Sequence, residues 1–258
     1  MKLSFKLLPL LAAAALASAC HHAQNTAPCP MASGASCPMN ASVGCPAAPC
    51  SACPMPANCP AMAATIPNLT KNMFYDKDGK FNEAAAKQAY FDMMQRFGYP
   101  ISDNMRDNMW ATDFGLGDFP AVGMGGIFWA QENKHGVFGH EILLLPNQML
   151  VEHYHVPADG LPAKYECWQA RAGSTYCLGE EGEDASKYPN VKIPESQKKF
   201  VTVNKVALSD AKKGNVVWLN KTEARHSQIA GPEGAIVTEY GAFHGNNAQR
   251  FTNPDVKF

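Results

Sequence analysis

The spacing of apolar residues first indicates a helix. Near the start of the predicted domain, Ala86, Tyr90, Met93 and Phe97 follow one another at steps of four, three and four residues. Residues at these steps share one face of an α-helix, so the stripe predicts an amphipathic helix that ends at Gly98. We expect this face to serve packing rather than chemistry.

Further along the chain, apolar and polar residues alternate with a period of two, which is typical of half-buried β-strands. Gly, Pro and Asn separate these runs. The predicted strands are residues 141–145, 148–155, 164–170, 174–178, 200–208, 216–219 and 234–243. Because no helical pattern separates them, they predict an all-β sandwich or barrel with an N-terminal helical extension.

The N-terminus has the pattern of a targeting segment. Lys2 and Lys6 precede an apolar run, and Ala-Ser-Ala at 17–19 forms a cleavage signal, so residues 1–19 are predicted to be a signal peptide. The run is shorter than the roughly 20 residues of a transmembrane helix, and we expect export. Cys20 leaves two outcomes open, a periplasmic protein or a lipoprotein that is anchored to a membrane through its acylated cysteine.

Residues 20–66 form a low-complexity linker of Ala, Pro, Met, Ser and Cys, and residues 67–258 form the predicted domain. Cysteines recur in the linker every eight residues, each followed by proline. They are Cys29, Cys37, Cys45 and Cys53, with Cys50 and Cys59 in addition. An oxidising compartment favours disulfides within or between chains, and capture of a soft metal by the Cys and Met side chains is the alternative.

Composition limits the kinds of partner. The chain has 258 residues, which allow one domain beside the leader and linker, and its 22 basic and 23 acidic residues give a net charge of −1. Binding to nucleic acid requires a clustered cationic surface, which this balance does not indicate. We therefore expect a small-molecule ligand and no nucleic acid.

Candidate chemistry is concentrated on two predicted strands. His153 and His155 are two residues apart, so both imidazoles leave the same face of a strand and can share one metal. On a later strand, Lys164, Glu166 and Trp168 alternate in the same way. A carboxylate, an ammonium and an indole would thus face one pocket, as in a substrate site.

The order of these residues resembles the first metal-binding motif of the cupin superfamily, which consists of HxH, then Glu, then six intervening residues, then Gly. His153, His155, Glu166 and Gly173 match it. A looser match to the second motif ends at His226, and the resemblance implies His226 as the fourth ligand. It also implies a cupin jelly-roll (double-stranded β-helix) barrel. Three imidazoles and one carboxylate suit Mn, Fe, Co or Zn better than Ca or Mg.

A second resemblance is to the D-lyxose isomerase family, cupin enzymes that interconvert an aldose and a ketose. It is carried by the string WATDFGLGDF at 110–119, by Lys164 and Glu166 as a K-x-E pair, and by Glu239 on a late strand. The resemblance implies a sugar substrate, Mn as the metal and a homodimer. Ten residues, 156–165, separate the HxH pair from Glu166, so we expect a longer loop over the site than in the family.

The resemblance also implies roles for individual residues. Glu239 would be the general base that moves a proton between C1 and C2 through a cis-enediol, and Lys164 would stabilise or protonate the enediolate oxygen. These two roles could be exchanged. The side chains expected to bind the sugar are Asp113, Asp118, Trp168, His244 and Arg250. Asp113 and Asp118 suit turns equally well, because they lie in a Gly-rich segment.

Other residues and functions stay open at this point. His135 and His140 are expected to be surface or core residues, and Cys167 and Cys177 could form a bridge or remain buried thiols. A cupin Fe(II) oxygenase and an exported cupin that binds sugar without turnover are the alternative functions. Oxygen consumption would identify the first, and a general base turned away from the site would favour the second.

Overall fold

The computed structural model of the chain describes residues 68–245 and 247–258. The predicted signal peptide, Cys20 and the linker cysteines lie outside these residues. Within them, no helix combines the length and the apolar character needed to cross a membrane.

Within the described residues, two α-helices precede ten antiparallel strands. Helix α1 spans Glu83–Arg96 and α2 spans Asp103–Asn108, and each begins at a side chain that accepts a backbone hydrogen bond. The Asn82 side chain accepts from the backbone N–H of Ala85 at 3.1 Å, which satisfies one of the free donors at the start of α1. Ala86, Tyr90 and Met93 of the predicted stripe are fully buried, so the stripe packs as predicted.

Ten antiparallel strands follow. They are β1 Trp110–Thr112, β2 Met124–Glu132, β3 Val137–Leu144, β4 Met149–His155, β5 Glu166–Gly179, β6 Glu183–Asp184, β7 Lys205–Asp210, β8 Val216–Trp218, β9 His226–Ala242 and β10 Gln249–Phe251.

Two long strands, β5 and β9, join the two halves of the sheet. In one half, Val237 of β9 pairs with Ile142 of β3 and Ala170 of β5; in the other half, Ile229 of β9 pairs with Met149 of β4. Register shifts in the middle of β5 mark the bend between the halves. The inner faces enclose an apolar core, and the result is the all-β cupin jelly roll that the sequence predicted.

Helix α1 covers part of the outer face of this barrel. Tyr90 and Met93 pack against Leu143 and Ile236, and the Tyr90 hydroxyl donates to Gln148 Oε1 at 2.7 Å. The helical extension therefore serves as structural support, and the inner face of the barrel is left to the candidate site.

Several predicted strand bounds were wrong. Runs 164–170 and 174–178 are one strand, because Gly173, at φ +65°, bends β5 without ending it. Within the predicted run 200–208, the strand begins only at Lys205.

Strands β1, β2, β6 and β10 and the first half of β9 were not predicted. In β2 and in the first half of β9, the sequence lacks alternation. Strand β2 begins with a Met-Gly-Gly run, and glycine has low β propensity. The first half of β9 buries polar Ser227 and Gln228 as fully as its apolar residues. When both faces of a strand are buried, apolar and polar residues no longer alternate along its sequence.

The geometry of the bend in β5 leads to a prediction about stability. Gly173 has a φ of +65°, and a Cβ there would lie 2.0 Å from the Gly234 carbonyl oxygen. We expect Gly173→Ala to lower the free energy of unfolding by at least about 3 kcal/mol. The cost of holding alanine in the left-handed backbone conformation adds to the cost of the clash between its Cβ and the backbone. Gly136→Ala is the matched control, with φ +70° and open space around its Cβ, and should cost about 1 to 2 kcal/mol. Urea unfolding of both variants measures the difference, and equal losses would contradict the clash.

Candidate metal and substrate site

Three histidines meet on the inner face of the barrel. His153 and His155 alternate on β4, and the register places His226, the first residue of β9, opposite His153. One ring nitrogen from each of the three lies within 4.8 Å of the others, and all three side chains are buried. The HxH prediction and the more distant His226 prediction therefore converge on one cluster.

Backbone contacts orient two of these rings. His153 Nδ1 lies 3.0 Å from the Val151 carbonyl oxygen, and His226 Nδ1 lies 2.9 Å from that of Ala224. Because a carbonyl oxygen only accepts, each Nδ1 carries the hydrogen and donates it. The Nε2 atoms are left with lone pairs, as in histidines that bind metals.

Glu166 completes the cluster from β5. Its Oε1 lies 3.3 Å from His155 Nε2 and 3.0 Å from His226 Nε2. Among the described residues, these three buried atoms have no hydrogen-bond partner. Two acceptors that face each other at 3.0 Å repel unless a proton or a metal ion lies between them. The donor set thus fits a divalent transition metal.

Charges within the cluster favour the protonation states that ligands need at His153 and Glu166. Burial opposes a charge on His226, but the neighbouring Glu166 outweighs it and raises the pKa of His226. Burial, with the nearby His226 and His155, holds the pKa of His153 well below its usual value. Burial opposes the charge on Glu166, but Lys164 and the histidines outweigh it and hold the pKa of that carboxyl well below its usual value. A neutral imidazole and an ionised carboxylate are the forms that bind metal.

Lys164 links the cluster to a second carboxylate. It is buried, and its Nζ lies 2.7 Å from Glu166 Oε2, is paired with Glu239 Oε1, and lies 4.1 Å from the centroid of the Phe138 ring. Burial alone would lower the pKa of Lys164, yet Glu166 and Glu239 raise it. The ammonium therefore bridges the candidate metal ligand and the candidate base.

A cavity of about 360 Å³ opens beside these groups. His153, His155, Lys164 and Glu239 border it, together with an aromatic wall. The wall is formed by Trp110, Phe128, Phe138 and Phe258. Charged groups on one side and apolar rings on another suit a small polyhydroxylated ligand that has apolar C–H faces.

Two further histidines face the same cavity. The ring centroid of His244 lies 4.8 Å from that of His155, and burial with the nearby Lys164 lowers the pKa of His244 to about 4. His140 lies on β3, with Nδ1 3.2 Å from Glu239 Oε2. The sequence interpretation missed His140 as a site residue. Its alternation with inward-facing Ile142 was the available signal.

One predicted substrate ligand, Asp113, holds a turn. The Asp113 carboxylate accepts from the Tyr75 hydroxyl at 2.8 Å and from the backbone N–H groups of Gly115 and Gly117 at 2.9 and 3.1 Å. Neither Asp113 nor Asp118 lines the cavity. The Asp113 carboxylate therefore shapes the Gly-rich segment, and sugar binding by Asp113 and Asp118 stays a prediction.

Trp168 and Arg250 also lie away from the cavity lining. Trp168 is buried in the core, with its ring 5.0 Å from that of His226, and so supports a candidate ligand. Arg250 is exposed on β10 and donates to the backbone carbonyl oxygens of Asn247 and Gln249. Cys167 and Cys177 lie on one strand as buried free thiols.

No family model matches the chain. It is 28% identical to the D-lyxose/D-mannose isomerase of Thermosediminibacter oceani over 182 residues, which cover 70% of this chain and 95% of that protein. It is 26% identical to the D-lyxose ketol-isomerase of Cohnella laeviribosi over 172 residues, which cover 67% and 91%. These relatives agree with the resemblance that the sequence motifs carried.

Solved structures support the fold. The Cellulomonas parahominis L-ribose isomerase with L-ribose aligns at a TM-score of 0.55, over 72% of this chain and 96% of that one, with 11% identity. The Acinetobacter sp. DL28 L-ribose isomerase in complex with L-ribose aligns at 0.54, over 72% and 96%, also with 11% identity.

Proposed function

We infer that this chain, a cupin-fold homologue of the D-lyxose ketol-isomerases, is a sugar isomerase that interconverts an aldose and a ketose. The observation that carries this inference is the buried pair of Lys164 and Glu239 beside the cluster of three histidines and Glu166. A protein that only binds sugar needs no such pair. Burying ionised groups costs free energy, so a buried pair indicates a role in chemistry or structure.

The metal dependence is part of the proposal. His153, His155, His226 and Glu166 would hold a divalent ion, with Mn expected first and Fe, Co or Zn as alternatives. When bound, such an ion polarises a carbonyl group and makes the neighbouring C–H more acidic.

The residues of the chain supply the proton transfer. Glu239 lies in the cavity wall as a buried carboxylate, where it can take a proton from one carbon of the sugar and return it to the next through a cis-enediol. Lys164 lies next to Glu239 and can donate a hydrogen bond to the substrate oxygen on which negative charge develops.

The substrate is proposed to be a free pentose or hexose. The cavity volume of about 360 Å³ admits one such ring or open chain, and D-lyxose, D-mannose and L-ribose appear in the names of the similar proteins. Assembly as a homodimer, export and an anchor through Cys20 stay predictions of the sequence.

Sugar interconversion in D₂O tests this function. The purified protein is loaded with Mn, Co, Fe or Zn and followed by NMR with a panel of pentoses and hexoses. We expect metal-dependent ketose formation with deuterium at C1 or C2. A bound metal with no product from any sugar would refute the isomerase proposal. Oxygen consumption with Fe would then favour the oxygenase, and sugar binding alone would favour the non-catalytic cupin.

A further inference from the structure

His140 is a buried polar side chain for which the proposed chemistry has no use. Its imidazole packs beside two neighbouring aromatic rings, 4.5 Å from the Phe128 centroid at 20° and 5.7 Å from the Trp110 centroid at 13°, with those two centroids 5.9 Å apart. Both partners therefore stack nearly parallel to it. Such a stack holds the plane of the imidazole while leaving its edge free to make hydrogen bonds.

Only one edge of this ring has a polar contact among the described residues. His140 Nδ1 lies 3.2 Å from Glu239 Oε2, whereas Nε2 has no partner. An ionised carboxylate only accepts, so Nδ1 carries the hydrogen and donates it. On the opposite edge, a Cβ at Gly126 would lie 2.3 Å from Nε2. The glycine therefore makes the room in which the ring sits.

Glu239 is consequently held at both oxygens, by Lys164 at Oε1 and by His140 at Oε2. The terminal torsion of a glutamate is broad and sets no orientation by itself. Two donors in different directions fix the carboxylate plane, which a single donor does not.

We propose that His140 is a positioning residue that orients the Glu239 carboxylate for proton transfer. The inference rests on the proposed isomerase function and assigns His140 no contact with the reacting atoms. A base that is misplaced by about 1 Å costs on the order of 10²-fold in rate. Loss of one charge-assisted hydrogen bond falls in the range of about 10- to 100-fold. The loss should appear in kcat, because His140 orients the base and not the sugar.

Two amide variants separate the two ring nitrogens. In His140→Asn the side-chain N–H lies where Nδ1 was, and in His140→Gln it lies nearer the former Nε2. We expect the Gln variant to lose about 30- to 100-fold in kcat, with KM within about threefold of wild type, and the Asn variant to stay within about fivefold in kcat. Thermal unfolding and metal content should be similar for both. Equal kcat losses, or a change in KM alone, would overturn the positioning role.

A glycine pair tests the same geometry without removing any polar group. Gly126→Ala should displace the imidazole and lower kcat about tenfold or more. Gly139→Ala, on the neighbouring strand, has no atom closer than 3.8 Å to the new Cβ and should retain wild-type kcat. Full kcat in a folded Gly126→Ala protein would overturn the inference. If Gly126→Ala does not fold, the two amide variants decide.

Failure of this inference is distinguishable from failure of the proposed function. Wild-type protein that forms no ketose with any metal refutes the isomerase function itself. An active wild type whose Asn and Gln variants behave alike refutes only the role of His140.

Discussion

Replacing Glu239 with Gln is expected to lower kcat by about 10³-fold, while the protein binds its metal as the wild type does. Glutamine has nearly the same shape as glutamate but cannot take up a proton, and general-base catalysis contributes about 10²- to 10⁴-fold. Glu239 is not among the four candidate ligands, so metal content should not change. Steady-state kinetics with the best sugar of the panel, together with elemental analysis of the metal, measures both quantities.

Glu141 offers a matched control for this variant. It is also a buried glutamate of the barrel wall, but its carboxylate accepts from Tyr99 and Trp129 and does not line the cavity. Glu141→Gln makes the same chemical change away from the cavity and should keep the wild-type kcat. Full activity in Glu239→Gln would remove Glu239 from the mechanism, and equal losses in both variants would indicate a general effect on folding.

Replacing His226 with Ala is expected to abolish turnover and most of the stabilisation by metal. The change removes one of the three clustered imidazoles and leaves Glu166 without its nearest ring nitrogen. An ion at about 1,000 times its dissociation constant stabilises a folded protein by about 4 kcal/mol. Wild-type protein should therefore show a higher thermal midpoint when Mn is added, and the variant should show a much smaller increase.

His135→Ala is the control for this experiment. His135 is exposed and paired only with Glu132 within the described residues, so its removal should leave the Mn response and kcat unchanged. Chelation of the wild type should reproduce the loss of activity, and re-addition of metal should restore it. A His226→Ala protein that still responds to Mn as the wild type does would locate the ion elsewhere.

Patterns that depend on neighbouring positions were predicted well. The helical stripe of Ala86, Tyr90 and Met93 is buried as expected, because periodicity alone decides which face of a helix is apolar. The side-by-side placement of His153 and His155 follows from the strand period in the same way. These predictions required no knowledge of the rest of the chain.

Predictions about individual residues in the Gly-rich segment depend on the turn that the segment forms. The WATDFGLGDF string resembles the D-lyxose isomerases, and the chain is 26 to 28% identical to such relatives, yet the Asp113 carboxylate accepts from backbone N–H groups of the turn and does not line the cavity. A motif records which residues occur together, and it does not record which of them face the ligand. Hydrogen bonds to backbone N–H groups determine that, and they appear only when the turn is formed.

The sequence by itself determined the class of fold, the positions of the four candidate ligands, and the identity of Lys164 and Glu239 as the acid-base pair to test. Only the tertiary structure decided how these groups combine. Lys164 and Glu239 are 75 positions apart and His140 and Glu239 are 99 apart, so no local period relates them. The bends in β5 and β9 bring distant strands together. Trp110, Phe128 and Gly126 pack around His140, and this packing directs one ring nitrogen of His140 to the candidate base Glu239. Contacts of this kind depend on packing across strands, which the order of residues along one strand does not encode.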